Sequence, residues 1–226
     1  MPVRAVALAA LDMAGTTVAD GGAVERSFRR ALEAGGGPQS CAVSDPEGFV
    51  ATTMGQSKLA VFTALFGGDG ERAGRANAAF EEAYGEAVAA GEIAPVPGAT
   101  ETMAELRDGG VKVCLTTGFA PVTRRMIVET LGWNEAVDLA LSPADAGRGR
   151  PWPDMILTAV IRLEIDDVRE VAVVGDTTSD LVAGWRAGAG IVAGVLTGAH
   201  RRSQLESAPH THILSSVAEL SGLVLH

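Results

Sequence analysis

The fold of this chain is decided by residues 3–17, which read Val-Arg-Ala-Val-Ala-Leu-Ala-Ala-Leu-Asp-Met-Ala-Gly-Thr-Thr. The run up to Leu11 is apolar except for Arg4, and a Gly-Thr-Thr turn follows at residues 15–17. A short apolar run bounded by a turn is typical of a strand that is buried on both faces of a parallel sheet. We therefore predict a buried strand that ends at Asp12.

From residue 99 onward, short apolar runs alternate with helical patterns. The pattern predicts strands at 111–115, 137–141, 171–174 and 191–196, and helices at 99–108, 121–131, 153–163, 181–187 and 216–223. Strands that alternate with helices form a parallel sheet with helices on both faces. We therefore predict an α/β fold built on a doubly wound parallel sheet.

Residues 19–93 contain no candidate strand and interrupt this alternation after the first strand. Helical patterns cover residues 19–33, 46–66 and 70–90 of this segment. We interpret residues 19–93 as an all-helical insertion, and residues 1–18 together with 94–226 as one α/β domain. The stretches Val18–Gly22 and Ala94–Gly98 are the expected hinges.

The composition argues against a nucleic-acid-binding protein and against a membrane-spanning protein. The chain has 226 residues, of which 47% are hydrophobic and 20% charged, and its formal net charge is −10. An acidic chain is not expected to bind nucleic acid, which requires a basic surface, and no apolar run reaches the ~18 residues of a membrane span. The two cysteines, Cys41 and Cys114, form neither a disulfide framework nor a metal set, so we expect a reducing, cytoplasmic compartment.

Polar residues follow several of the predicted strands, where open α/β sheets bind their ligands. They are Asp12 and Thr16, the Thr116-Thr117-Gly118 turn, Asp176 and Asp180, and the loop with Arg148 and Arg150. Two carboxylates and a backbone carbonyl are oxygen ligands of the kind that Mg²⁺ prefers. Hydroxyls, glycine N–H groups and a guanidinium bind phosphate oxygens. A carboxylate in such surroundings can act as a nucleophile towards phosphorus.

Four motifs resemble those of the haloacid dehalogenase (HAD) superfamily of hydrolases. They are Asp12-Met-Ala-Gly-Thr-Thr17, Thr116-Thr-Gly-Phe119, Arg150-Pro-Trp-Pro153 and Gly175-Asp-Thr-Thr-Ser-Asp180. The resemblance implies a Rossmann-like core, Mg²⁺ as cofactor, an aspartyl-phosphate intermediate, and a cap domain formed by the helical insertion.

Within the superfamily the chain is most similar to the phosphonatase group, which hydrolyses phosphonoacetaldehyde. Ala14 occupies the position where the phosphatases of the superfamily have a second Asp, and Arg150 the position where most members have Lys. Met54-Gly-Gln-Ser-Lys58 is similar to the stretch that carries the Schiff-base lysine of phosphonatases. Ala14 cannot protonate an alkoxide leaving group, whereas an imine on Lys58 would accept the electrons of a departing carbanion.

The resemblance also implies a role for each site residue. Asp12, Lys58 and Arg150 are the expected catalytic residues, and Asp12, the Ala14 carbonyl and Asp176 the expected metal ligands. Asp180 would orient a water molecule. Phosphate and substrate would be bound by Thr116 or Thr117, Gly118, Met54 and Gly55. The expected partners are a small phosphonate or phosphate and a second copy of the chain, bound through the cap.

Some positions depart from the phosphonatase pattern. Val61 stands where the resemblance implies a His, Phe119 where it implies a Tyr, and Gly22 where it implies a Cys. Two alternatives therefore stay open: a phosphatase for small esters that does not use Lys58, and a non-catalytic phosphate-binding or regulatory protein. We expect the pair Glu81-Glu82 to lie on a solvated helix face.

Overall fold

A computed structural model describes residues 5–225 of the chain, and a six-stranded parallel sheet forms its centre. The first strand covers the second half of the predicted run; residues 3 and 4 lie outside the described residues. The strands of the sheet and of a small two-stranded ribbon are β1 (Leu8–Asp12), β2 (Val18–Ala19), β3 (Ala94–Pro95), β4 (Lys112–Thr116), β5 (Leu139–Leu141), β6 (Val171–Gly175), β7 (Ile191–Val195) and β8 (His212–Leu214).

The large sheet has the strand order β5-β4-β1-β6-β7-β8, and every neighbouring pair is parallel. The chain leaves β1 towards one edge, through β4 and β5, and then builds the other edge from β6. The order therefore reverses between β1 and β6, as in a doubly wound sheet, and the predicted α/β fold is confirmed. Ligands bind at such a switch point, beyond the carboxyl ends of the strands.

Helices cover both faces of this sheet. They are α5 (Ala99–Asp108), α6 (Pro121–Thr130), α7 (Pro143–Ala146), α8 (Asp154–Arg162), α9 (Thr178–Ala187), α10 (Arg202–Leu205) and α11 (Leu220–Val224). Because side chains alternate along a strand, Ala9 and Leu11 of β1 belong to one hydrophobic cluster and Leu8 and Ala10 to the other. Burial of both faces explains why β1 has no exposed position.

The insertion consists of α1 (Ala23–Ala34), α2 (Pro46–Thr52), α3 (Lys58–Leu65) and α4 (Gly70–Ala89). Helix α4 packs against both α1 and α3. The two expected hinges contain β2 and β3, which pair antiparallel through Val18 with Pro95 and Ala19 with Ala94. The division into core and cap stays a prediction.

The predicted helix 46–66 is divided into α2 and α3 by a loop at residues 53–57. Gly55 in this loop has φ +80, a left-handed conformation that does not continue a helix. Helix α3 begins directly after Ser57, so Lys58 is its first residue.

The end of the chain also differs from its prediction. A 3₁₀ turn at Val217–Glu219 and helix α11 replace the single helix expected at 216–223, and the edge strand β8 was not expected. Among residues 5–225, no helix has both the length and the hydropathy required to cross a bilayer.

Candidate active site

Three buried aspartates meet at the switch point of the sheet. Asp12 is the last residue of β1, Asp176 directly follows β6, and Asp180 lies in the first turn of α9. One carboxylate oxygen of each lies within 4.8 Å of the others. The sheet topology thus gathers carboxylates that are more than 160 positions apart in sequence, because the carboxyl ends of β1 and β6 are neighbours.

Arg150 joins two of these carboxylates. Its Nη1 donates hydrogen bonds to Oδ1 of Asp12 and to Oδ1 of Asp180, and all three side chains are buried. The other oxygen of Asp180 accepts from the backbone N–H of Thr177 at 3.1 Å and from the Thr177 hydroxyl, which caps α9. Within the described part of the chain, Arg150 Nε is buried without a hydrogen-bond partner. This N–H can donate to an oxygen of a bound anion.

The charge of the site suits a divalent cation. Three carboxylates face two cationic side chains, Arg150 and Lys58, which leaves one negative charge in excess. Burial raises the pKa of Asp12 to about 6, although Arg150 opposes the rise, and burial together with the other two carboxylates raises the pKa of Asp176 well above its ordinary value. A hard cation with oxygen ligands, such as Mg²⁺, would relieve this repulsion.

Asp176 is held in place by one backbone N–H and one side-chain hydroxyl. Its Oδ2 accepts from the N–H of Ala199 at 2.6 Å, and its Oδ1 accepts from the Thr16 hydroxyl at 3.3 Å. Gly15, with φ +89, and Gly198 lie so close that a Cβ on either one would collide with the Asp176 carboxylate. The Gly-Thr-Thr turn therefore matters because it lets the backbone pass beside this carboxylate.

Lys58 lies in an aromatic enclosure. Its Nζ is 5.1 Å from the ring centroid of Phe28, 5.5 Å from that of Phe80 and 5.4 Å from that of Phe119, and its side chain is buried. Burial and the nearby Arg150 lower the pKa of Lys58 to about 8, although Asp12, Glu81 and Asp176 act in the opposite direction. The amine therefore exists partly in its neutral, nucleophilic form near neutral pH.

A small cavity between the insertion and the sheet brings most of the predicted site residues together. They are Asp12, Ala14, Met54, Gly55, Lys58, Thr117, Gly118, Arg150 and Asp176. Thr116 and Asp180 do not line this cavity. The Thr116 hydroxyl lies 3.5 Å from the carbonyl oxygen of Leu11, within the sheet, so the geometry favours Thr117 as the hydroxyl that faces a ligand.

The loop at residues 53–57 lies directly on the sheet edge. The Lys58 N–H donates to the carbonyl of Gly118 at 3.3 Å. A Cβ on Gly118 would collide with the Gln56 carbonyl, and one on Gly55 would lie 2.5 Å from the Thr177 hydroxyl. The insertion thus covers the site closely in this structure, and both glycines are required at the contact.

Glu81 contradicts the expectation of a solvated face. It lies on α4, is partly buried, and accepts hydrogen bonds from the N–H of Ala120 at 3.1 Å and from the Thr123 hydroxyl. These donors belong to the start of α6, where Ala120 is an N-cap without a side-chain acceptor of its own. An uncapped helix start in the sequence was the signal that a distant acceptor was required.

Sequence reasoning also missed His200. Its Nδ1 accepts from the N–H of Thr178 at 3.0 Å, and its Nε2 lies 3.3 Å from the carbonyl of Ala51 in the insertion. A neutral ring that accepts at Nδ1 carries its proton on Nε2 and can donate it to Ala51. His200 thus connects the sheet edge to α2, and it belongs to none of the sequence motifs.

Comparison with known proteins agrees with this geometry. The family model of the haloacid dehalogenase-like hydrolases matches residues 6–188. Phosphonoacetaldehyde hydrolase from Pseudomonas putida is 39% identical over 104 residues, which are 46% of this chain and 38% of the relative. The chain therefore spans well under half the length of the curated relatives that it matches.

Two solved structures share the fold. A phosphonoacetaldehyde hydrolase-like protein from Oleispira antarctica superposes with a TM-score of 0.81 at 22% identity, over 98% of this chain and 92% of that one. A predicted phosphoglycolate phosphatase from Haemophilus somnus superposes with a TM-score of 0.78 at 17% identity, over 96% of this chain and 97% of that one. Both likenesses concern the fold.

Proposed function

Since the chain belongs to the haloacid dehalogenase-like hydrolases, we propose that it is a magnesium-dependent hydrolase that cleaves the C–P bond of phosphonoacetaldehyde or a related phosphonate. One observation carries the proposal. The Lys58 amine is buried, its pKa is lowered to about 8, and it lines the same cavity as Asp12 and Arg150. A simple alkyl or aryl phosphate ester offers such an amine no carbonyl to attack, whereas a phosphonate aldehyde does.

The phosphonate group binds at the sheet edge in this proposal. Arg150, with its free Nε–H, and the Thr117-Gly118 turn contact its oxygens, and Asp12 attacks phosphorus. Asp12, the Ala14 carbonyl and Asp176 would hold Mg²⁺, which supplies charge neutralisation when bound. The contacts of Asp180 support a role in positioning Arg150, and its predicted role in orienting water stays a prediction.

Lys58 activates the carbon side of the bond. Its neutral Nζ adds to the substrate carbonyl, takes up one proton from solvent and releases one water molecule, which gives a protonated imine. When Asp12 bonds to phosphorus, the electron pair of the C–P bond moves into the imine and forms an enamine. Water then hydrolyses the aspartyl-phosphate, and protonation and hydrolysis of the enamine return Lys58 and release the aldehyde. Ala14 suits this route, which requires no acid for an alkoxide.

A phosphatase that acts on small esters without Lys58 is the second candidate. Val61, a buried apolar residue, stands one turn after Lys58 where the resemblance implies a His, so a proton-handling group of phosphonatases is missing. The Haemophilus somnus likeness shows only that the fold is compatible with this alternative. The cytoplasmic compartment and the homodimer formed through the cap also stay predictions.

Borohydride trapping distinguishes the two candidates. We expect sodium borohydride, added with phosphonoacetaldehyde and Mg²⁺, to fix an adduct on Lys58, located by peptide mass spectrometry. Lys112, the other lysine of the chain, is exposed, so Lys112→Ala is the matched control and should keep both adduct and turnover. Lys58→Ala should lose both. Unchanged turnover in Lys58→Ala, with an aryl phosphate hydrolysed equally well, would replace this proposal by the phosphatase.

A further inference from the structure

A cavity of about 310 Å³ lies beside the site, between α1, α2 and the loop after β7. Apolar side chains form much of its wall, and charged side chains stand at its rim. The larger apolar residues are Phe28, Leu32, Val50 and Met54, and the charged ones are Glu25, Arg29 and Glu47. We call this cavity the side pocket; nothing in the proposed reaction of phosphonoacetaldehyde uses it.

The side pocket adjoins the catalytic cavity. Met54 borders both cavities. Phe28 borders the side pocket, and its ring centroid lies 5.1 Å from Lys58 Nζ. The amine is thus separated from the side pocket by one aromatic ring and one methionine. Met54 lies in the loop at 53–57 and is partly buried, and a methionine side chain changes rotamer readily to open such a passage.

We propose that the side pocket receives the part of the substrate that lies beyond its carbonyl, so that this chain prefers 2-oxoalkylphosphonates with an unbranched apolar chain. The inference rests on the proposed function: with phosphorus at Asp12 and the carbonyl carbon at Lys58, a substituent on that carbon continues past Phe28. The same bonds form and break as in the reaction of phosphonoacetaldehyde. One water molecule is consumed overall, and the products are phosphate and a methyl ketone.

The rim of the side pocket selects among such chains. Glu25 and Glu47 contribute two carboxylates against the single guanidinium of Arg29, so the rim carries an excess of negative charge. An anionic group at the end of the chain is disfavoured there, and an uncharged end is accepted. Apolar walls and an acidic rim together define the substrate class as a monoanionic or dianionic phosphonate with a neutral tail.

Binding of simple alkylphosphonates tests the side pocket without any chemistry at Lys58. Calorimetry in the presence of Mg²⁺ should show that affinity rises about threefold per added methylene from methylphosphonate to hexylphosphonate, because each methylene leaves water. Val50→Phe fills the side pocket and should abolish the rise, and Val50→Met is the second variant if Phe impairs folding. Val122→Phe, at an exposed position on α6, should preserve it. Affinity that is independent of chain length would overturn the inference.

Turnover assays distinguish a failure of the side-pocket inference from a failure of the proposed hydrolase function on which it rests. Phosphate release from 2-oxoheptylphosphonate should exceed that from phosphonoacetaldehyde, and Val50→Phe should lower the ratio of the two kcat/KM values about tenfold. Cleavage of phosphonoacetaldehyde alone would refute the side pocket and leave the C–P hydrolase standing. If neither compound is cleaved but binding still depends on chain length, the hydrolase and its substrate preference are refuted, and the side pocket remains only as a binding site for an alkyl chain.

Discussion

Lys58 shows how burial can lower the pKa of an ordinary residue. The chain has only two lysines, and the structure encloses one of them among three phenylalanine rings. The rings attract the ammonium by cation–π contacts, yet loss of hydration dominates, and the pKa is lowered to about 8. In the same cavity, Ala14 contributes no acid. The two residues together fit carbonyl chemistry better than alkoxide departure.

The pH dependence of turnover follows from this pKa. At pH values below the Lys58 pKa of about 8, the neutral fraction of Lys58 decreases tenfold for each unit by which the pH is lowered. The kcat/KM for phosphonoacetaldehyde should therefore rise with pH and level off above about pH 8. Stopped assays at a series of pH values, at saturating Mg²⁺, would measure this rise of kcat/KM. Lys58→Arg, which remains charged, should show no activity at any of these pH values. A flat wild-type profile from about pH 6.5 to 9 would contradict the assignment.

A carboxylate of helix α4 accepts hydrogen bonds at the start of helix α6. Glu81 of α4 satisfies N–H and hydroxyl donors at the positive end of α6, where a negative charge is stabilised by the helix dipole. This contact joins the insertion to the α/β domain on the side of Phe119, which encloses Lys58. A covered site requires such contacts, because closure must exclude water from the reacting groups.

Removal of the Glu81 carboxylate should weaken closure. We expect Glu81→Ala to raise KM about tenfold and to lower the free energy of unfolding by roughly 1–3 kcal/mol, since the start of α6 loses a charged acceptor. Steady-state kinetics and thermal melts would measure both effects. Glu82→Ala is the matched control, because Glu82 is exposed and faces Arg30 within the insertion. Thr123→Val, which removes one hydrogen-bond donor, should give a smaller change in the same direction. Equal KM values and equal stabilities of Glu81→Ala and Glu82→Ala would refute the role of Glu81 in closure.

At the scale of the whole molecule, the burial of Asp12, Asp176 and Asp180 lowers the stability of the folded chain when no cation is bound. The pKa of Asp12 is raised from 3.8 to about 6, and that of Asp176 is raised well above its ordinary value, so these two carboxylates bind protons more tightly in the folded chain than in the unfolded chain. Stability without metal should therefore fall as pH rises from about 4 through 6 and beyond. Thermal melts in a chelator would measure the fall, and a stability that rises over that range would exclude ionisation of buried carboxylates.

Magnesium should reverse that loss. At a concentration about 100-fold above its Kd, Mg²⁺ should add about 2.7 kcal/mol at neutral pH, which corresponds to roughly 5–10 °C in Tm. The shift should shrink near pH 5, where protons compete for the carboxylates. Asp176→Asn should lose most of the shift, whereas Glu105→Gln, at an exposed position on α5, should keep it. A shift of full size in Asp176→Asn would exclude the proposed metal site.

The outline of the site was available from the sequence because of one property of parallel sheets. The carboxyl ends of their strands share one edge, so Asp12, Thr117 and Asp176 could be expected near one another once the strands were recognised. Helix boundaries were less certain. The break at Gly55, which makes Lys58 the first residue of α3, was missed because the apolar pattern of residues 46–66 continues through it.

The sequence by itself thus determined the alternation of strands and helices, the acidic residues at the strand ends, and the helical nature of the insertion. Only the tertiary structure decided that Thr117 rather than Thr116 lines the cavity, that Glu81 is partly buried against α6, and that the Lys58 amine is enclosed. The reason is physical. Strand and helix periodicity are local, whereas burial, and the pKa that burial sets, depends on side chains contributed by distant segments that meet only after folding.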